Sequence, residues 1–453
     1  MYAVTNPATG ETVREYQSAT DDEIEFALET LHNGYKADRQ STPSERAGAL
    51  LKAAELLRDK SAELAGVITR EMGKRNSDAV NEVEIVAQIF EYYGSKGPDM
   101  LQEQPIEDSD QDDVVQYRPT GVILGVMPWN YPMYQLARLI APNLVLGNTL
   151  LIKPASSTPE SAYALADVLA EAGLGSDVVQ ILLIDAGHIG GVVRDPRISG
   201  VSLTGSEAAG ASVASIAGEQ LKKVVLELGG SDPLIVLDEE NIEDIADLAV
   251  RTRMENMGQA CNSPKRFIVM EEAYAPFVAA AKRILETDYE PGDPQDPATT
   301  LAPLSSASAV EAISEHVDRA VAQGATLVTG GKRLDRPGNY YAPTLLTDVA
   351  PSSDAYHEEL FGPVVVVHSV NSDEEAIEVA NDSPYGLGGA VFGGDPERAE
   401  AVGEGLEVGM VSINMPGGTA AELPFGGVKR SGNGRELGRL GITEFANQRL
   451  FRR

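Results

Sequence analysis

Two kinds of hydrophobic pattern divide the chain. Over residues 21–70 apolar and polar positions alternate with helical spacing, and the run Asp21-Asp-Glu23 puts acids at one helix start, where unpaired N–H groups favour negative charge. Ser41-Thr-Pro-Ser-Glu45 offers a hydroxyl cap to a second helix, and a further helix is expected over 78–94. Beyond residue 120 the pattern changes to short continuous apolar runs, at 121–127, 149–153, 178–184 and 200–204, separated by helical segments. That alternation predicts an α/β architecture with a parallel sheet. The runs 224–227 and 233–237 mark passage into a second α/β unit, with further strands expected at 266–270, 326–329 and 364–368. Neither an internal repeat nor a low-complexity linker interrupts this order. The segment Gly187-His-Ile-Gly-Gly191 is a partial match to the glycine fingerprint of dinucleotide sites, and reads as a loop leading to a helix.

Composition narrows the possibilities. A chain of 453 residues with 43% apolar content is too long for one core and is expected to form two or three structural units. With 69 acidic against 36 basic residues the formal net charge is −33, which disfavours nucleic acid and anionic membrane surfaces as partners. The acids are dispersed, with small clusters such as Glu107-Asp-Ser-Asp-Gln-Asp-Asp113, and so describe a solvated acidic surface, as in a halophilic cytoplasm, rather than a disordered tail. No apolar run reaches the roughly 18 residues that span a bilayer, and the first residues carry no basic-then-apolar signal. A cytoplasmic location is expected.

Three segments carry candidate chemistry. Cys261 is the chain's only cysteine, so no intramolecular disulfide can form; it is either a small buried hydrophobe or a nucleophile. Gly258 and Gln259 before it suit a close backbone approach, and Lys265 and Arg266 after it add positive charge that favours a thiolate. Glu227 lies in an apolar run ending in Gly229-Gly230, where desolvation raises a carboxyl pKa toward the range of a general base; the alternative is a strand-end acid in solvent. Asn130, framed by Pro128 and Pro132, is placed to present its amide to a developing oxyanion, although a plain proline-rich turn has the same sequence.

Taken together, these segments resemble the NAD(P)-dependent aldehyde dehydrogenase superfamily along nearly the whole chain. Seven motifs occur in family order: Pro128-Trp-Asn-Tyr-Pro132, Lys153-Pro-Ala-Ser-Ser-Thr-Pro159, Leu203-Thr-Gly-Ser-Glu-Ala-Ala-Gly210, Leu226-Glu-Leu-Gly-Gly230, Gly258-Gln-Ala-Cys261, Glu358-Glu-Leu-Phe-Gly-Pro363, and Leu423-Pro-Phe-Gly-Gly-Val-Lys429 continuing into Ser431-Gly-Asn-Gly-Arg-Glu-Leu-Gly438. The resemblance implies the aldehyde dehydrogenase fold: a Rossmann-like cofactor domain (1–108 and 121–228), an α/β catalytic domain (229–438) and a small β oligomerisation arm (109–120 and 439–453), in a homodimer or homotetramer. It also implies that Cys261 forms a thiohemiacetal and then a thioester, that Asn130 and the Cys261 N–H hold the oxyanion, and that Glu227 activates the hydrolytic water. Retention of Glu227 argues against transfer of the acyl group to CoA. Cofactor contacts are expected from Met127, Trp129, Lys153, Ser156, Gly205, Ser206, Glu359 and Phe361, with no metal.

The choice of cofactor and substrate rests on single positions. Where NAD-preferring members carry an acid three residues after the lysine, this chain has Ser156, which tolerates a 2′-phosphate and favours NADP over NAD; Ser156 can also be read as a helix cap. The closest resemblance is to short-type succinate-semialdehyde dehydrogenases, in which Arg138 matches an arginine for the distal carboxylate. A second such arginine is Glu255 here, so that acid either points away or the substrate is another small aliphatic or hydroxylated aldehyde. A noncatalytic dinucleotide-binding protein is the reading from another class. Glu436 matches an acid of a proton path, but Leu139 stands where its lysine partner is usual. The acidic surface generates the first prediction: melting temperature falls sharply when molar salt is removed, whereas equal melting at low and molar salt contradicts a salt-adapted surface.

Overall fold

Local sequence sets the first helices. In the computed structural model, which describes residues 2–38, 41–109 and 111–453, Thr20 and Thr42 each close a capping box, with Glu23 and Glu45 as the reciprocal acids. Caps of this kind are each worth about 1 kcal/mol and fix where the helices Asp21–Ala37 and Pro43–Asp59 begin. Met1, Arg39 and Gln40, in the expected cofactor domain, and Asp110, in the expected arm, lie outside the described residues. The helix expected over 78–94 runs further in both directions, from Asn76 to Met100. Gly187–Gly191 is not a loop: it lies inside the helix Ala186–Arg194, whose Ile189, Val192 and Val193 form a buried stripe at helical spacing.

The apolar runs beyond residue 120 form a six-stranded sheet in the order Gly432–Asn433, Lys223–Glu227, Ile198–Thr204, Val122–Val126, Thr149–Lys153, Val179–Ile181. All neighbours are parallel except the Gly432–Asn433 pair with Leu226 and Glu227. The central strands are buried almost throughout, as a sheet covered on both faces requires. Strand order reverses between Val122–Val126 and Ile198–Thr204, which makes the crevice beyond their carboxyl ends the expected ligand site of such a sheet. Met127, Lys153, Gly205 and Glu227 all lie at those ends. Gly432–Asn433 joins this sheet although it lies within 229–438, because its backbone pairs with the strand that ends in Glu227.

The second sheet has seven strands, in the order Thr326–Thr329, Thr344–Thr347, Val364–Val370, Pro264–Met270, Asp232–Val236, Gly388–Phe392, Met410–Ile413. Its three adjacent strands Val364–Val370, Pro264–Met270 and Asp232–Val236 begin directly after the motifs 358–363, 258–261 and 226–230. The carboxyl ends of one sheet therefore meet the loops that feed the amino ends of the other. The helix Tyr134–Leu146 is buried at every residue and carries Gln135, Arg138 and Asn143 through the interior. A separate antiparallel sheet pairs Val114–Pro119 with Ala446–Phe451 on one side and Gln104–Pro105 on the other. Among the described residues no helix is long and apolar enough to cross a membrane.

Candidate active site

The backbone before Cys261 is held in a conformation that only close packing maintains. Asn256, Met257 and Gly258 have φ of 48°, 55° and 72°, the left-handed region that costs L-residues about 1–2 kcal/mol each. A Cβ at Gly258 would stand 2.1 Å from the Gly362 carbonyl oxygen, so the position requires glycine. Arg253 fastens this turn. Fully buried, it donates to the carbonyls of Gly258, Leu360, Gly362 and Val364 and to Ser263 Oγ, tying the cysteine loop to the 358–363 motif. Nothing in sequence marks Arg253 for this task; it sits in an ordinary amphipathic helix.

Asn130 arrives from the other sheet. Its Nδ2 donates to the Gln259 carbonyl at 2.9 Å, and its own carbonyl accepts from Asn256 Nδ2 at 2.9 Å, so Asn130 is locked beside the cysteine turn. One amide hydrogen is committed by this bond, and the other remains for a ligand. A cavity of about 230 Å³ is lined by Asn130, Glu227 and Cys261 together with Gly205, Ser206, Trp129, Phe361 and Glu359. Trp129 and Phe361 meet edge to face at 5.7 Å between centroids, forming an apolar wall. Ser206 caps the helix Glu207–Glu219, whose N-terminal N–H groups open beside the cavity. Thr204 and Gln135 also line it, and both Thr204 Oγ1 and Gln135 Oε1 are buried without a hydrogen-bond partner. Orphaned polar atoms cost about 1–3 kcal/mol each, which fits a cavity shaped for a polar guest such as a dinucleotide. Sequence reading passed over both residues, although Gln135 is a lone polar group in an apolar run.

Lys153 and Ser156 stand apart from that cavity, at the end of the neighbouring strand. Lys153 is partly buried, with Nζ 5.6 Å from the Tyr2 ring, and burial lowers its pKa. Ser156 is exposed and does not cap the next helix; Glu71 does so, accepting from Glu160 N and Ser161 N. Met127 is buried behind the wall, donating its N–H to the Lys153 carbonyl.

Electrostatics distinguishes the candidate groups. Burial pushes the Cys261 thiol up to about 12; Arg138 and Lys265 oppose the shift, and Glu227 and Glu359 add to it. Lys265 lies beside the cysteine loop as expected, but Arg266 does not. Neighbouring residues of a strand face opposite sides, and Arg266 donates instead to the carbonyls of Ser231, Val379 and Ala380. Burial also raises Glu227 well above the carboxylate range, since neither of its oxygens has a hydrogen-bond partner. Arg138 Nη2 lies 3.9 Å from Glu227, but the guanidinium belongs mainly to Glu436, with which its Nε and Nη2 pair. Arg138 is thus enclosed, stacked over Phe425 at 4.0 Å, and is not on the wall of the Cys261 cavity. Its Nη1 is buried without a hydrogen-bond partner. The cation that Leu139 cannot supply to Glu436 is Arg138. Glu255 lines a different cavity, of about 420 Å³, with Lys74, Arg75 and Asp78.

Comparison with known proteins agrees with this architecture. A sequence profile described as the aldehyde dehydrogenase family matches residues 1–451. The chain is 48% identical over 451 residues to the succinate-semialdehyde dehydrogenase [NADP(+)] of Deinococcus radiodurans, covering 100% of this chain and 94% of that protein. It is 41% identical to a probable succinate-semialdehyde dehydrogenase [NADP(+)] of Synechocystis, covering 98% of each. Among solved structures, succinic semialdehyde dehydrogenase from Streptococcus pyogenes, in complex with NADP+, superposes with a TM-score of 0.97 at 41% identity over 100% of this chain and 99% of that one. The fold and site define an NAD(P)-dependent oxidoreductase of the aldehyde dehydrogenase fold. The chain belongs to the aldehyde dehydrogenase family.

The buried state of Glu227 predicts a pH-dependent stability. A carboxyl whose folded pKa is raised costs nothing while it is protonated in both states; the cost grows as pH climbs above its unfolded value and levels off above its folded one. Glu227→Gln removes that cost, so its melting temperature is expected to exceed that of the parent by a margin that widens from pH 4.5 upward. A margin that shrinks with rising pH contradicts this environment.

Proposed function

We propose that this protein oxidises succinate semialdehyde to succinate, with NADP+ as the preferred hydride acceptor. The observation that carries the reaction type is the convergence of Cys261, Asn130 and Glu227 on one cavity. In this reading the Cys261 thiolate attacks the aldehyde carbon, and the new oxyanion is held by the free Asn130 amide hydrogen and the Cys261 N–H. Bound NADP+ supplies the acceptor that lets the thiohemiacetal become a thioester. Glu227, desolvated and therefore basic, then takes a proton from water as the water attacks the thioester, releasing the acid and the thiol. Trp129, Phe361, Gly205, Ser206 and Glu359 surround the cofactor end of the cavity, with Lys153, Ser156 and Met127 beyond it.

The substrate and NADP preference draw on the relatives, whose names carry both, and on two positions. Ser156 leaves room for a 2′-phosphate that an acid would repel, and no helix cap depends on it. Arg138 is assigned the distal carboxylate on the resemblance alone, since it lies enclosed with Glu436 and does not line the Cys261 cavity. Glu255, away on the other cavity, does not oppose that charge at the Cys261 wall. We place the enzyme in the cytoplasm as a homodimer or homotetramer. The outer arm strand Ala446–Phe451 supports assembly, since it presents an unpaired edge with Leu450 and Phe451 exposed.

Steady-state kinetics test this reading. Succinate semialdehyde is expected to exceed butanal in kcat/KM, and NADP to exceed NAD, in the parent enzyme. Because Arg138 also neutralises Glu436, Arg138→Lys is the informative variant: a positive charge remains, but the planar fork is lost. It is expected to lower kcat/KM for succinate semialdehyde about tenfold or more while sparing butanal. Equal losses for both aldehydes would restrict Arg138 to holding Glu436.

A further inference from the structure

The cysteine loop contains a cation that the mechanism has not used. Lys265 is fully buried four residues after Cys261. Its Nζ donates to the carbonyls of Ala260 at 2.9 Å, Cys261 at 2.8 Å and Ser263 at 3.3 Å, and pairs with Glu359 Oε1 at 3.2 Å. Four acceptors around one nitrogen suit an ammonium with three hydrogens better than an amine with two. Glu359 has a second tether, accepting from Gly230 N at 3.1 Å. The acid on the cofactor side of the cavity and the loop bearing the nucleophile are therefore joined through a single ammonium.

We propose that Lys265 is a positioning residue that supplies the fixed positive charge beside Cys261, and that Glu359, by pairing with Lys265, sets how much of that charge the sulfur feels. The charged groups around the sulfur are Arg138 and Lys265 on the positive side and Glu227 and Glu359 on the negative. Arg138 is already matched by Glu436. Lys265 itself faces Glu359, Asp232 and Cys261, with Arg253 as the nearby like charge. Asp232 and Arg253 belong to the second domain's frame, Arg253 being spent on carbonyls, which leaves Glu359 as the one acid paired directly with Lys265. The two ends of the pair thus act on the thiol in opposite senses: the ammonium favours thiolate and the carboxylate cancels part of that favour.

This inference rests on Cys261 as the reacting sulfur, yet its test needs no turnover. Cys261 is the only cysteine, so alkylation of the full-length protein by iodoacetamide, in which an S–C bond forms and iodide leaves, reports this thiol alone. The rate is measured against pH for the parent, Lys265→Gln, Glu359→Gln and the double variant. Glutamine at 265 removes the charge while keeping two amide hydrogens for the carbonyls, on a side chain one bond shorter. Lys265→Gln is expected to slow alkylation at pH 8 about three- to tenfold and move the profile to higher pH; Glu359→Gln is expected to speed it by a similar factor and move the profile to lower pH. In the double variant the two opposing charges are both removed, and the profile falls between those of the single variants. A loop merely loosened by the substitutions changes rates in one direction for both. An unchanged or slowed Glu359→Gln profile overturns the proposal, and Glu359→Gln remains informative if Lys265→Gln fails to fold. Cys261→Ser retaining dehydrogenase activity refutes the catalytic assignment without altering these profiles, so the two failures are separable.

Discussion

The packing of the cysteine turn against the 358–363 segment is the constraint on which the site depends. Three consecutive left-handed residues, 256–258, are tolerated because Gly258 lies against the Gly362 carbonyl and Arg253 binds both strands of the contact through its buried guanidinium. Asn256 and Met257, as L-residues in the left-handed region, each disfavour the turn, so the turn depends on this contact. Asn130, from the first sheet, is locked into the same turn through Gln259 and Asn256. Cys261, Asn130 and the segment carrying Glu359 are consequently tied to one turn.

Desolvation acts on both of the groups proposed to react. The enclosure that makes Glu227 a stronger base also makes the Cys261 thiol reluctant to ionise, and cations buried nearby offset the second effect. Arg138 and Lys265 are each held by an acid of their own, Glu436 and Glu359. Their influence on the cavity is accordingly partial and adjustable, unlike that of a bare charge, whose burial would be far costlier.

Much of this was legible in the sequence wherever the signal was local. Thr149–Lys153 and Thr326–Thr329 match the expected strands because each is a short apolar or β-branched run with clear ends, and the acids at 21–23 and the hydroxyl run at 41–44 announce their helices. The strands Thr344–Thr347, Gly388–Phe392 and Met410–Ile413 were not anticipated; they are short, and their strand character comes from neighbours in the sheet. At the site, Cys261, Glu227 and Asn130 stood out through flanking glycines and prolines, and the structure gathers them. Long-range partners were another matter. Arg138 meets an acid 298 positions away, and no spacing rule connects them. Lys265 and Arg266 look equivalent in sequence, yet strand geometry sends one to the cysteine loop and the other to carbonyls on the far side.

In the proposed reaction Cys261 carries the acyl group and Glu227 releases it. Its most direct test is to mix Glu227→Gln with succinate semialdehyde and NADP+ and to follow both NADPH and the intact mass of the chain. A single burst of about one NADPH per chain is expected, with a succinyl adduct that maps to the peptide containing Cys261. Continuous turnover with no adduct, or an adduct on another residue, contradicts it.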